Sequence, residues 1–158
     1  MAQKPKPLPW LLELDPYVGG ESKIEGVSRI VKLASNESAF GISPKAREAL
    51  AAMAGDFFRY PDGGCTELRA RLAAKHNLPA DNIVCGGGSD DLISLLLRSY
   101  AGPGDEVLVS AHGFAMFPIY AKGVGATVVT APENGITVDV DALLARVTDK
   151  TRIVCVAN

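Results

Sequence analysis

Apolar positions fall into two regimes along the 158 residues of this chain. Before Asn77 they are scattered or helically spaced, and from Ile83 onward short apolar runs alternate with amphipathic stretches. Ser43 followed by Pro44 is a helix start, because a proline at the first helical position sacrifices no hydrogen bond, and Ala46 to Ala54 continue in good helix formers. Arg59-Tyr60-Pro61-Asp62-Gly63-Gly64 is turn chemistry. Thr66 to His76 then places Leu68 and Leu72 on one face of a second helix, ended by Asn77 and Pro79. Beyond it the expected order is strand Ile83 to Cys85, helix Asp90 to Tyr100, strand Glu106 to Ser110, a helix near Ala115 to Gly123, strand Ala126 to Thr130, helix Asp139 to Arg146 and strand Arg152 to Ala157. Strands alternating with helices predict right-handed crossovers, and so an α/β fold with a mostly parallel sheet and flanking helices.

The first thirty residues do not join this pattern. A lead with Pro5, Pro7 and Pro9, an apolar-acidic patch from Trp10 to Leu14 and then Pro16-Tyr17-Val18-Gly19-Gly20 read as an N-terminal arm over residues 1–30, mobile unless it packs on something. Val31-Lys32-Leu33 is expected to be a short extended piece leading into a polar loop.

The run Ile83-Val84-Cys85-Gly86-Gly87-Gly88-Ser89-Asp90-Asp91-Leu92-Ile93 carries the strongest chemical signal. Glycines let a ligand approach the bare main chain, and the unpaired N–H groups of a helix's first turn point outward with the positive end of its dipole. A phosphate would fit there, although such a turn also serves merely to reverse a chain tightly. A dinucleotide fingerprint would need a glycine at Asp91 and an acid where Ser110 and Ala111 stand, and a P-loop would need Gly-Lys-Ser/Thr. Ser89 and Asp90 read as first-turn residues that complement the dipole, with their side chains turned aside from an anion.

In parallel sheets ligands sit at the carboxyl ends of the strands, and three stretches meet there: Gly86 to Asp90, His112 to Phe117, and Ala157-Asn158. Read from spacing alone, Phe114 and Phe117 are core aromatics at a helix start, Asn158 an ordinary turn residue and Tyr60 a packed turn aromatic.

A composition of 47% hydrophobic and 22% charged residues with net charge −2 describes a soluble globular protein and argues against a nucleic-acid surface. Cys65, Cys85 and Cys155 are odd in number and form no Cys-x-x-Cys pair, which suggests reduced thiols in a cytoplasmic protein. His76 and His112 belong to no cluster at metal spacing, so no metal is expected. The start has no apolar core of signal-peptide length, and Arg98 interrupts the longest leucine run well short of a membrane span.

Several blocks in order resemble the fold-type I pyridoxal-phosphate aminotransferases, most closely the histidinol-phosphate aminotransferase family: Lys32-Leu33-Ala34-Ser35-Asn36-Glu37-Ser38, Arg59-Tyr60-Pro61-Asp62-Gly63, Gly87-Gly88-Ser89-Asp90-Asp91-Leu92-Ile93, Phe114-Ala115-Met116-Phe117 and Val154-Cys155-Val156-Ala157-Asn158. The resemblance runs from Asp15 onward and implies that residues 31–158 are the first part of the cofactor-binding large domain. It also implies roles for particular residues. Gly88, Ser89 and Asp90 would cup the phosphate of pyridoxal 5'-phosphate, and Phe114 would stack on its ring where the family commonly has tyrosine. Asn158 would hydrogen-bond its phenolic oxygen, and Tyr60 would reach the phosphate of the neighbouring subunit of a homodimer. Tyr17 and Asn36 would line the substrate side.

The implied reaction is amino transfer between histidinol phosphate and 2-oxoglutarate in histidine biosynthesis, with a relative of the aromatic-amino-acid aminotransferases or of the threonine-phosphate decarboxylases as alternatives. The family's cofactor-binding lysine stands in a Ser-x-Ser-Lys-like block, and none of Lys4, Lys6, Lys23, Lys32, Lys45, Lys75, Lys122 and Lys150 has that context. The chain is therefore expected to be the first part of an enzyme, inactive by itself. The competing expectation from a different class is a non-catalytic module that binds a phosphorylated small molecule at Gly87 to Asp90.

Overall fold

The computed structural model describes residues 4–19, 24–31, 33 and 35–157. Its contacts gather into two units, Tyr17–Asn77 and the combination of Met1–Pro16 with Leu78–Asn158. The expected extended piece at Lys32 falls on a residue outside those described.

In the unit Tyr17–Asn77, α1 spans Pro44–Met53 and α2 spans Thr66–His76. Ser43 makes no side-chain cap bond, so the start of α1 rests on the fixed φ of Pro44. The entry to α2 is organised by Asp62, which accepts the Gly64 N–H at 2.9 Å on one oxygen and the Thr66 N–H at 2.8 Å on the other. The Thr66 amide, more than any other group, holds the Asp62 carboxyl below its ordinary pKa. Between the two donors lies Cys65 at φ +46°, a conformation that costs a non-glycine residue energy, and the carboxylate pins the chain on either side of it. Asn77, at φ +52°, ends the helix in a conformation its short side chain tolerates.

The other unit contains α3 (Ser89–Tyr100), β1 (Glu106–Ser110), α4 (Met116–Gly123), β2 (Thr127–Ala131), β3 (Glu133–Asn134), β4 (Thr137–Val138), α5 (Val140–Leu144) and β5 (Thr151–Cys155). β1 is central and pairs in parallel with β2 on one side and β5 on the other, while β3 and β4 form a small antiparallel hairpin that the sequence pattern did not predict. Alternation along β1 sends Val107 and Val109 toward Leu97 of α3 and Ala121 of α4, and Leu108 the other way onto Ala131 and Leu143. A strand covered on both faces needs apolar residues on both, which is why Val107-Leu108-Val109 contains no polar residue. Asp139 caps α5 by accepting the Ala142 N–H at 2.9 Å.

The proline-rich lead does pack on something. It forms a 3-10 turn over Pro9–Glu13, from which the Trp10 indole N–H donates to the Gly123 carbonyl at 3.2 Å. The indole lies so close to Gly125 that a Cβ there would come within 3.0 Å of it.

The expected strand Ile83 to Cys85 is not a strand. Ile83 has extended dihedrals (φ −114°, ψ 124°), but none of these residues joins a ladder among the described residues, and Val84 is 73% exposed. An apolar run reports readiness to extend, whereas a strand exists only where a partner supplies its hydrogen bonds. The outer side of β5 also lacks a paired strand among the described residues, and an apolar groove lined by Ile93, Leu96, Phe117 and Val154 runs along it. Among the described residues no helix is long and apolar enough to cross a membrane.

Candidate functional site

A short turn joins α3 to β1, so helix and strand run in opposite directions and the start of α3 stands at the carboxyl end of β1. Of the three glycines before α3, two are constrained, each for a different reason. At Gly86 a Cβ would fall 2.7 Å from Asp91 Oδ2 and 2.9 Å from Leu92 Cδ2, so a side chain there would displace Asp91 and Leu92. At Gly87 a Cβ would make only ordinary contact, 3.8 Å from Asp91 Oδ2. At Gly88, the N-cap, a Cβ would meet nothing within 4 Å, but φ is +100° and ψ 177°, a backbone region open essentially to glycine alone.

Ser89, Asp90 and Asp91 follow in the first turn, where helix geometry gives their N–H groups no internal acceptor. Two carboxylates there would repel an anion if they faced it, and both are tied elsewhere. Asp91 turns back to accept the Gly87 N–H at 2.9 Å. Asp90 accepts the Tyr120 hydroxyl of α4 at 3.0 Å, and that bond is the largest cause of the raised pKa of Tyr120. What remains is an open glycine corner flanked by outward amides at the positive end of a 12-residue helix.

Phe114 lies on the loop from β1 to α4 and is 41% exposed. Its ring meets Phe117 edge to face, with centroids 5.6 Å apart and planes at 88°. Phe117 packs against the buried cluster that includes Leu97, so Phe114 leans on the core without being part of it. The same loop is gripped by Glu133 of β3, which accepts the His112 N–H at 3.0 Å and lies 2.9 Å from His112 Nδ1. The His112 backbone bond, then the ring bond, holds the Glu133 carboxyl below its usual pKa against the opposing effect of burial, and the nearby Ser110 hydroxyl adds to the shift. The Ser110 oxygen is itself buried without a hydrogen bond of ordinary geometry among the described residues.

Of the residues proposed from sequence, Gly88, Ser89, Asp90 and Phe114 therefore belong to one unit, joined through the α3–α4 contact. Tyr17, Asn36 and Tyr60 lie in the other unit and are exposed, Tyr60 to 97%. Asn158 lies outside the described residues. Sequence reasoning missed Asp91 as the acceptor for Gly87, although an acid in the first turn reaching back to a preceding amide is a readable capping pattern. It also missed Tyr120 and Glu133, for which no local signal exists: their partners lie 30 and 21 residues away.

The profile described as aminotransferase class I and II matches residues 28–158. Histidinol-phosphate aminotransferase of Paramagnetospirillum magneticum is 60% identical over 154 residues, covering 98% of this chain and 42% of that protein. That of Rhodospirillum rubrum is 56% identical over 154 residues, with 98% and 42% covered. The chain thus spans about 42% of the length of these relatives. Among solved structures, histidinol-phosphate aminotransferase from Sinorhizobium meliloti in complex with pyridoxal-5'-phosphate superposes with a TM-score of 0.68 at 32% identity, covering 70% of this chain and 30% of that one. A Thermus thermophilus aspartate aminotransferase mutant gives 0.67 at 23% identity over 76% of this chain and 34% of that one, a likeness of fold alone. A profile match over so much of the sequence establishes that this chain belongs to the class I and II aminotransferase family.

Proposed function

We propose that this chain supplies the phosphate-binding and ring-covering part of a pyridoxal 5'-phosphate-dependent enzyme that exchanges an amino group between histidinol phosphate and 2-oxoglutarate, in cytoplasmic histidine biosynthesis. The observation that carries the reading is the Gly88 corner: an open, glycine-only turn at a helix start whose two neighbouring carboxylates are both bonded away from it. That corner suits a phosphate monoester, and the partly exposed Phe114 ring suits the face of an aromatic heterocycle. Histidinol phosphate as the substrate is supported by the relatives, which are 60% and 56% identical over nearly the whole of this chain and 42% of their own length.

In this reading the N–H groups of Ser89 and Asp90 hold the phosphate, and Gly88 leaves the space in which it approaches. The Phe114 ring covers one face of the cofactor ring and excludes water there, while lacking the hydroxyl a tyrosine would bring. The Asn158 amide donates to the phenolic oxygen. Tyr60 reaches the phosphate of a second subunit, and Tyr17 and Asn36 border the substrate. Residues 1–30 serve as the arm and 31–158 as part of the cofactor-binding domain. When bound, pyridoxal phosphate supplies an electron sink for negative charge at the substrate α-carbon. No lysine among those named above is assigned the proton transfer, so this chain's residues bind and orient.

The test is donor preference in the intact gene product that carries this chain. Histidinol phosphate, phenylalanine and threonine phosphate are each offered with 2-oxoglutarate and pyridoxal phosphate. Histidinol phosphate is expected to give the highest kcat/KM, and preference for another donor, or no transfer at all, rejects the assignment. Mixed dimers of Tyr60→Phe and Asn158→Ala subunits are expected to recover activity that neither variant has alone, and no recovery would place both residues in one subunit's site.

A further inference from the structure

The loop between β1 and α4 has no regular structure of its own, yet Phe114 can cover a planar ligand only if its ring stands at a fixed angle. A turn closed by the Gly113 N–H and the Ser110 carbonyl at 3.3 Å shapes its first half, and the Phe117 N–H bonds the Phe114 carbonyl at 3.0 Å at the helix entrance. Between these anchors, among the described residues, the loop's long-range polar contact is with Glu133, 21 residues away in sequence.

Its geometry is specific. The Glu133 side chain is only 3% exposed, whereas that of His112 is 68% exposed. The carboxylate is thus tucked beneath the loop with the imidazole over it. One oxygen holds the His112 main chain and the other its ring, so that both the path of the loop and the rotamer of His112 are set by a single side chain. A carboxylate this enclosed needs its donors, and releasing the loop would leave it unmatched, so the clamped arrangement is favoured over alternatives. Gly113 leaves little slack beside it, since a Cβ there would stand 3.0 Å from the Ser110 hydroxyl oxygen.

We propose that Glu133 is a positioning residue for the cofactor site: by clamping His112 from the β3–β4 hairpin, it fixes the loop that presents Phe114. The inference rests on the reading of Phe114 as the ring that covers the cofactor. Glu133→Ala removes both acceptors. Glu133→Gln keeps the length, one acceptor for the His112 N–H and an amide that can donate to Nδ1, and so serves as the conservative rescue. His112→Ala keeps only the main-chain arm.

The experiment uses the intact gene product and two readouts other than turnover. Amide hydrogen exchange over residues 111–117 is followed without cofactor, and the visible circular dichroism of bound pyridoxal phosphate reports how the ring is held. Glu133→Ala is expected to speed exchange in that segment by about tenfold, the scale of one lost hydrogen-bonded arm, and to diminish the dichroism. Glu133→Gln should restore both, and His112→Ala should fall between. Unchanged exchange in Glu133→Ala overturns the proposal, as does faster exchange with unaltered dichroism when Phe114→Ala does alter it. If Phe114→Ala leaves the dichroism untouched, the stacking role fails, while the exchange data still decide whether Glu133 orders the loop. Should Glu133→Ala not fold, the comparison of Glu133→Gln with His112→Ala decides: equal exchange in these two and the parent rejects the clamp.

Discussion

Replacing Gly88 by alanine isolates backbone conformation from packing. The new Cβ has nothing within 4 Å, so no clash is created, but φ +100° with ψ 177° is a region that an L residue occupies at a cost of roughly 1–3 kcal/mol. If the corner must keep this shape to present the Ser89 and Asp90 amides, and the free protein relaxes it, the strain appears in the bound state alone. The expected loss in pyridoxal phosphate affinity is then about 5- to 150-fold. If the free protein cannot relax, the same energy lowers stability instead, so the two measurements trade against each other.

The neighbouring glycines calibrate the result. Gly87→Ala meets Asp91 only at ordinary contact distance and is expected to change affinity by less than about threefold. Gly86→Ala collides with Asp91 and Leu92, so it should release the Gly87 amide and loosen the helix start before it affects phosphate. Cofactor affinity by equilibrium dialysis and urea unfolding of the cofactor-free protein are measured on all three variants of the intact gene product. Gly88→Ala matching its parent in both measurements, or Gly87→Ala proving the most damaging, would refute the reasoning.

Two further outcomes concern the rest of the chain. Because the folded pKa of Asp62 is depressed, its contribution to the entrance of α2 is fully present above the ordinary value of 3.8 and is lost as pH falls through the lower folded value. The Thr66 amide resonance should titrate with a midpoint below 3.8, and Asp62→Asn should abolish that transition; a midpoint at or above 3.8 contradicts the bonding described. Trp10→Phe, which keeps a ring but loses the bond to Gly123, is expected to cost about 0.5–1.5 kcal/mol in urea unfolding. Trp10→Ala should in addition open residues 4–16 to limited proteolysis, and equal cleavage in the parent would show that the indole does not anchor the lead.

Local features of the sequence were enough wherever a segment's shape depends on its own residues. Proline at Pro44 and the leucine spacing in Thr66–His76 gave the helices, the apolar Val107-Leu108-Val109 gave a strand, and the glycine run gave the turn before α3. They misled at Ile83 to Cys85, where extension was legible but pairing was not, because a ladder belongs to two segments at once. The hairpin of β3 and β4 was overlooked for a related reason, two residues per strand being too few to show a period.

By itself, then, the sequence determined the α/β alternation, the strand Glu106–Ser110 and the glycine turn before α3, since each follows from spacing, glycine and helix geometry within a short window. Only the tertiary structure decided how the carboxylate beside that turn is drawn aside and how the neighbouring loop is held. Asp90 is drawn aside by Tyr120, and His112 is clamped by Glu133, across 30 and 21 residues of chain. A hydrogen bond is a relation between two positions in space, and no periodicity along one dimension records which distant donor folding will bring within 3.0 Å of an acceptor.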